Sequence, residues 1–168
     1  MAISLFELFK AGIGPSSSHT VGPMEAARRF AGTLGDNTLT ARVQRLKVSL
    51  YGSLGATGKG HGTGPAVMMG LEGERPDRID PYTMPERLDR ILSSGRLSLG
   101  GQWPVRFREK TDLVYDRRRG GLSGGGGIGL CHGGCRACGG YRRFIGAGGK
   151  RGRDWYGTPP WHDLRPDW

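Results

Sequence analysis

The sequence predicts an α+β domain, a small sheet with packed helices, over residues 1–115, and a Gly/Arg-rich tail over 116–168 that is disordered or out of frame. Three features carry this division. Helical and strand periodicities alternate up to Val114 with ordinary punctuation between them. Beyond Asp116 neither a period of 2 nor one of 3.6 continues. Sixteen of the 32 glycines fall in the last 54 residues, and no apolar set there offsets the entropy of ordering so much glycine.

Ser4–Ala11 reads as a short amphipathic helix ended by Gly12 and Gly14-Pro15. A second helix spans Pro23–Leu34, with Pro23 in the first turn, where its missing N–H is harmless, and Glu25 near the positive end of the dipole. Arg42–Tyr51 alternates Leu46, Val48 and Leu50 against Arg45, Lys47 and Ser49, the pattern of a half-buried strand. After the glycine-rich Gly52–Gly64 stretch, Pro65–Leu71 gives one or two helical turns. Thr83-Met-Pro-Glu86 matches a capping box for a helix whose buried stripe is Leu88, Ile91 and Leu92. Trp103–Phe107 and Thr111–Tyr115 read as short strands, Pro104 favouring an edge position for the first.

Net charge is +10 over 168 residues, which by itself suits a polyanionic partner. Its distribution is uneven: Met1–Val114 holds 15 basic and 11 acidic residues, whereas Tyr115–Trp168 holds 10 and 4. The opening lacks the basic n-region and long apolar run of a signal peptide, and no stretch approaches the roughly 20 apolar residues of a membrane span. The expectation is a cytoplasmic protein with no membrane partner. Three cysteines, all in the tail, fit poorly with a disulfide framework.

Two clusters carry chemistry. In Gly12–Met24, Ser16, Ser17, Ser18, His19 and Thr20 crowd onto a loop entering a helix, where hydroxyls and free N–H groups suit a carboxylate or phosphate. A helix cap would need only one of them. In Tyr51–Thr63, Lys59, His61 and Thr63 stand among glycines that let a backbone approach a ligand. This is not a P-loop, because Gly60 follows Lys59 where Ser or Thr is required. A histidine there is suited to moving a proton next to a carboxylate, and Lys59 to holding the anion.

The strings GIGPSSSHTVGPM and LYGSLGATGKGHGT closely resemble the beta domain of bacterial iron–sulfur L-serine dehydratases. The opening ISLFELFKAGIG and the Leu71–Glu74 segment fit the same pattern, over about residues 3–115. The resemblance implies a fold like the allosteric substrate-binding domain of phosphoglycerate dehydrogenases, and a lyase of amino-acid catabolism and gluconeogenesis that converts L-serine to pyruvate and ammonia. It further implies a 4Fe–4S cluster whose ligands lie not in this chain but in an alpha domain or subunit, and a homo-oligomer when complete. Carried over by position, His61 is the proton-transfer residue, and Ser16, Ser17, Ser18, His19, Thr20, Lys59 and Thr63 face the substrate. Gly64-Pro65 departs from the pattern, where an acidic and then a basic or polar residue are expected. Past Tyr115 the expected continuation is missing, and without the cluster-bearing alpha domain the chain alone is expected to be inactive. A non-enzymatic module that binds an anion or amino acid at Ser16–Thr20 is the other reading of the same mouth.

The tail has the Gly, Arg and Trp bias that wrong-frame translation of GC-rich DNA gives. Cys131-x3-Cys135-x2-Cys138 has a spacing used to bind iron–sulfur clusters in radical S-adenosylmethionine enzymes, but only thirty residues follow it. With His132 it lacks the second separated pair of a zinc site. Arg117–Arg119, Arg142-Arg143 and Lys150–Arg153, interleaved with Tyr141, Phe144 and Trp155, are the pattern of a nucleic-acid arm. The expectation is no metal and no nucleic acid here.

Overall fold

The computed structural model describes residues 13, 14, 16–36, 43–117, 127–133 and 142–146. The helix expected over Ser4–Ala11 and most of the tail lie outside these residues. The described chain is α+β. Its elements are α1 (Val21–Asp36), β1 (Arg45–Tyr51), α2 (Ser53–Thr57), α3 (Thr63–Leu71), α4 (Met84–Ser94), β2 (Arg96–Leu99), β3 (Trp103–Arg106), α5 (Glu109–Asp112), β4 (Leu113–Asp116), β5 (Gly127–Gly133) and β6 (Arg142–Gly146).

The alternation read in β1 is the alternation observed: Leu46, Val48 and Leu50 are fully buried while Arg45, Lys47 and Ser49 are not. β1 is the centre of a sheet ordered β2-β3-β1-β5-β6, with β4 also on β1. β3 and β4 share one edge of β1, both parallel to it, through Arg45↔Arg106 and then Val48↔Leu113 to Tyr51↔Asp116. They are in effect one strand interrupted by the single turn of α5. Because β3 overlaps β1 only at Arg106, Pro104 lies beyond the end of β1 and withholds no ladder hydrogen bond from it.

Asp112 fixes that interruption. Its fully buried carboxylate accepts hydrogen bonds from Arg45 Nε at 2.8 Å, from Arg45 Nη2, and from the Arg108 N–H at 2.8 Å. A buried carboxylate needs such partners to remain charged.

α1 and α3 pack together over the apolar side of β1, burying Met24, Ala27, Phe30 and Leu34 against Val67, Met68, Met69 and Leu71. Burying a side chain such as Phe30 contributes roughly 1.5–3 kcal/mol. Gly70 permits the close crossing, since a Cβ there would collide with the Met24 carbonyl oxygen. At the end of α3 the buried Glu72 takes Arg87 Nη2 at 2.7 Å, Arg90 Nη2 at 3.2 Å and the Ser98 N–H at 3.2 Å, tying α4 and β2 to α3.

Several expectations are corrected. The capping box does not form: Thr83 has helical dihedrals, and its hydroxyl turns back to the Asp80 carbonyl at 3.0 Å. Of the expected α4 stripe, Ile91 is buried and Leu88 packs against the core, but Leu92 is half exposed. The strand expected over Thr111–Tyr115 starts only at Leu113, since 109–112 coil into α5. α2 and β2 were not foreseen. In the tail, most of which was expected to be disordered or only weakly structured, the described residues form β5 and β6. β5 runs antiparallel to β1 from Arg45↔Gly133 to Tyr51↔Gly127, and β6 pairs antiparallel with β5. A short period of 2 is in fact written in Gly127-Ile-Gly-Leu130, and β1 supplies a strand edge for it to pair with.

Candidate functional site

The two sequence clusters meet where β1 ends. Ser16–Thr20 forms a turn leading into α1, and Ser53–Thr63 carries the chain from β1 through α2 to α3. Within the turn, Thr20 is buried and donates its hydroxyl to the Ser16 carbonyl at 2.8 Å. The His19 and Thr20 N–H groups also bond to Ser16 O, and the Gly22 N–H to Ser17 O. Those donors, expected to be free at a helix mouth, are used within the turn. What the turn offers outward is hydroxyls and an imidazole.

His19 bridges the clusters. Its Nδ1 lies 3.0 Å from Ser18 Oγ and 3.4 Å from Ser16 Oγ, which are themselves 3.0 Å apart, while its Nε2 lies 2.9 Å from Thr57 Oγ1. Thr57 donates its own hydroxyl hydrogen to the Ser53 carbonyl at 2.9 Å, so toward His19 it is an acceptor. Neutral His19 then carries its proton on Nε2, and Nδ1 accepts from Ser18.

His61 stands beside it, the ring centroids 4.8 Å apart and tilted by 36°. Its Nδ1 lies 2.9 Å from the Thr57 carbonyl oxygen. A carbonyl only accepts, so Nδ1 bears the proton and Nε2 holds the lone pair of the neutral ring. Nε2 has no hydrogen-bond partner among the described residues. Thr57 therefore orients both imidazoles, one through its hydroxyl and one through its carbonyl. Thr57 was not singled out in the sequence; the only sign of it was its place four residues before His61 on the glycine-rich stretch.

Thr63 is buried and donates to the His19 carbonyl at 2.7 Å, locking the start of α3 to the serine-rich turn. Ser17 is exposed and supplies its carbonyl to Gly22. Lys59 is exposed in the turn before α3 and is not joined to the His19–His61 group. Gly64, the departure noted in the sequence, lies against Tyr115 of β4: a Cβ there would be 2.7 Å from the tyrosine hydroxyl. Burial pushes the Tyr115 hydroxyl up from its ordinary pKa and the Glu109 charge adds to this, while the Gly64 N–H hydrogen-bonded to it acts the other way.

Residues 4–122 match the family described as serine dehydratase beta chain. The chain belongs to that family. It is 54% identical over 119 residues to an L-serine dehydratase of Streptomyces coelicolor, covering 71% of this chain and 26% of the relative. It is 49% identical over 106 residues to L-serine dehydratase 2 of Escherichia coli, covering 62% and 23%. With an L-serine dehydratase of Mycobacterium bovis it shares 47% identity over 110 residues, 66% and 24%. The chain thus spans about a quarter of the length of the curated relatives it matches.

Among the described residues no group of three His, Cys, Asp or Glu side chains is placed to hold a metal ion. No described residues fit the iron–sulfur cluster that the resemblance implies. Among the same residues no helix is long and apolar enough to cross a membrane.

Proposed function

We propose that this chain is the substrate-facing part of an L-serine dehydratase, with His61 as the base that removes the Cα proton. The reading rests on the Thr57 carbonyl at 2.9 Å, which holds the proton on Nδ1 and leaves Nε2 a lone pair for the substrate. Ser16, Ser18 and His19 form the polar surface for the substrate's carboxylate and amino groups, with Ser17 and Lys59 at its exposed margin. Thr20 and Thr63 hold that surface in shape through their bonds to backbone carbonyls.

Removal of the Cα proton and departure of the β-hydroxyl as water leave 2-aminoacrylate. Its imine tautomer takes up water to give pyruvate and ammonia. The 4Fe–4S cluster would be held by an alpha domain or subunit outside this chain, in a cytoplasmic homo-oligomer.

A chimera tests the proposal. Residues 4–122 replace the matching segment of the Streptomyces coelicolor relative, and pyruvate release from L-serine is measured. Activity is expected, with His61→Asn lowering kcat by about 10²–10⁴. A folded but inactive chimera, or one that keeps its rate with His61→Asn, refutes the assignment.

A further inference from the structure

The opposite end of β1 carries a second concave feature. A half-open surface concavity of about 550 Å³ lies there, lined by the exposed Arg96, Arg106 and Arg108 together with Ser94 and Gln44, and among the described residues no Asp or Glu lines it. The Ser16–His61 site lies beyond the other end of the strand, about 20 Å of β1 away.

The charge arrangement here differs from that at the protein's described ion pairs. Arg28 and Arg29 pair with Glu25, Arg75 with Asp77, and Arg87 and Arg90 with Glu72. Among the described residues no carboxylate lies within ion-pair distance of the Arg96, Arg106 or Arg108 side chains. Arg96 and Arg106 are also directly opposed across β2 and β3, where like charges destabilise a sheet. Arg106 neighbours Arg45 on β1 as well, but Arg45 is neutralised by Asp112. Arg108 comes in from the connection to α5 and packs beside Gly95, where a Cβ would make an ordinary contact 3.6 Å from Arg108 Cγ.

The geometry points to a binding site for a small polyvalent anion, of the phosphate or dicarboxylate class, at Arg96, Arg106 and Arg108. Guanidinium groups bind carboxylate and phosphate oxygens in paired hydrogen bonds. An anion with two or more negative charges relieves the opposed Arg96–Arg106 pair and engages Arg108 at once, which a single carboxylate does less well. Ser94 adds a hydroxyl. The inference is independent of the dehydratase reading, since none of these residues belongs to the His61 site.

The test uses the 168-residue chain, titrated with inorganic phosphate, succinate or acetate at ionic strength held constant with potassium chloride. Calorimetry and thermal denaturation are the readouts, on wild type, Arg106→Gln, Arg108→Gln and the control Arg75→Gln. Phosphate or succinate should bind saturably, acetate far more weakly, and each cavity variant should lose affinity by about tenfold. Without anion Arg106→Gln should melt no lower than wild type, because it removes a like-charge opposition. Should that variant fail to fold, Arg108→Gln carries the comparison. Non-saturating titrations, or stabilisation equal in wild type and cavity variants, overturn the site.

Discussion

Asp112→Asn tests how the interrupted strand is held and what depends on it. The side chain is fully buried and receives donors from two directions, Arg45 and the Arg108 N–H. An asparagine offers one oxygen and one NH2 group, so one donor set must face another donor. Hydrogen bonds to a charged group contribute about 1.5–3 kcal/mol. The Arg45 side chain is 36% exposed and can hydrate when released, which keeps the loss below the 3–5 kcal/mol of a wholly buried broken pair. The expected cost is about 2–3 kcal/mol. Urea denaturation followed by circular dichroism should show the midpoint falling by about 1–2 M at unchanged slope. In a double-mutant cycle with Arg45→Gln, the coupling should be about 1 kcal/mol or more. A midpoint within about 0.3 M of wild type, at the same slope, would show that Asp112 does not hold β4 to β1.

Three further substitutions probe other parts of the same frame. Thr57→Val keeps the side-chain shape but removes the acceptor for His19 Nε2. It should cost about 1 kcal/mol and, by nitrogen NMR of the ring, let His19 populate both neutral tautomers; an unchanged tautomer refutes the bridging role. Gly70→Ala places a Cβ 3.0 Å from that of Ala27 as well as against the Met24 carbonyl, so α1 and α3 must part, at about 1–3 kcal/mol, read as a lower Tm. Glu25→Gln addresses pH. The Arg28 hydrogen bond, with help from Arg29 and their charges, holds Glu25 down to about 2 from 4.5 against the opposing effect of burial. Its stabilisation is therefore complete above the unfolded value and is lost as pH falls through the folded one. The Arg29 side chain is 65% exposed, so solvent screening limits the effect to about 1 kcal/mol. The Tm gap between wild type and variant should close as pH falls from 4.5 to about 2; a constant gap refutes the linkage.

What the sequence disclosed follows the strength of each local signal. β1 was legible because three buried residues alternate with polar ones on a strand seven residues long. α1 was legible through its apolar positions and its proline. α2 and β2 are only five and four residues long, too short for a period to declare itself, and α2 lies in a stretch whose glycines read as loop. Gly55 shows why a glycine belongs there: a Cβ would collide with the carbonyl of Asp116 on β4, a neighbour far along the chain. Thr83 failed as a cap because its local turn through Asp80 claimed the hydroxyl first. At the site, residue types identified both clusters and both histidines, but not the proton positions. Those depend on Thr57, whose hydroxyl donates to Ser53 and so accepts from His19, and whose carbonyl accepts from His61, contacts that exist only once α2 has formed.

The position of β1 in the chain has a consequence for synthesis. It is the earliest described strand to emerge, yet every strand that pairs with it comes later: Arg106 and Leu113–Asp116 on one edge, Gly127–Gly133 on the other. A growing polypeptide must carry Leu46, Val48 and Leu50 with both edges open until those segments leave the ribosome. Release at about residue 117 would leave one edge permanently unpaired and able to recruit a strand from another molecule. Gly127–Gly133 thus matters to the nascent chain as a cover, whatever else it does.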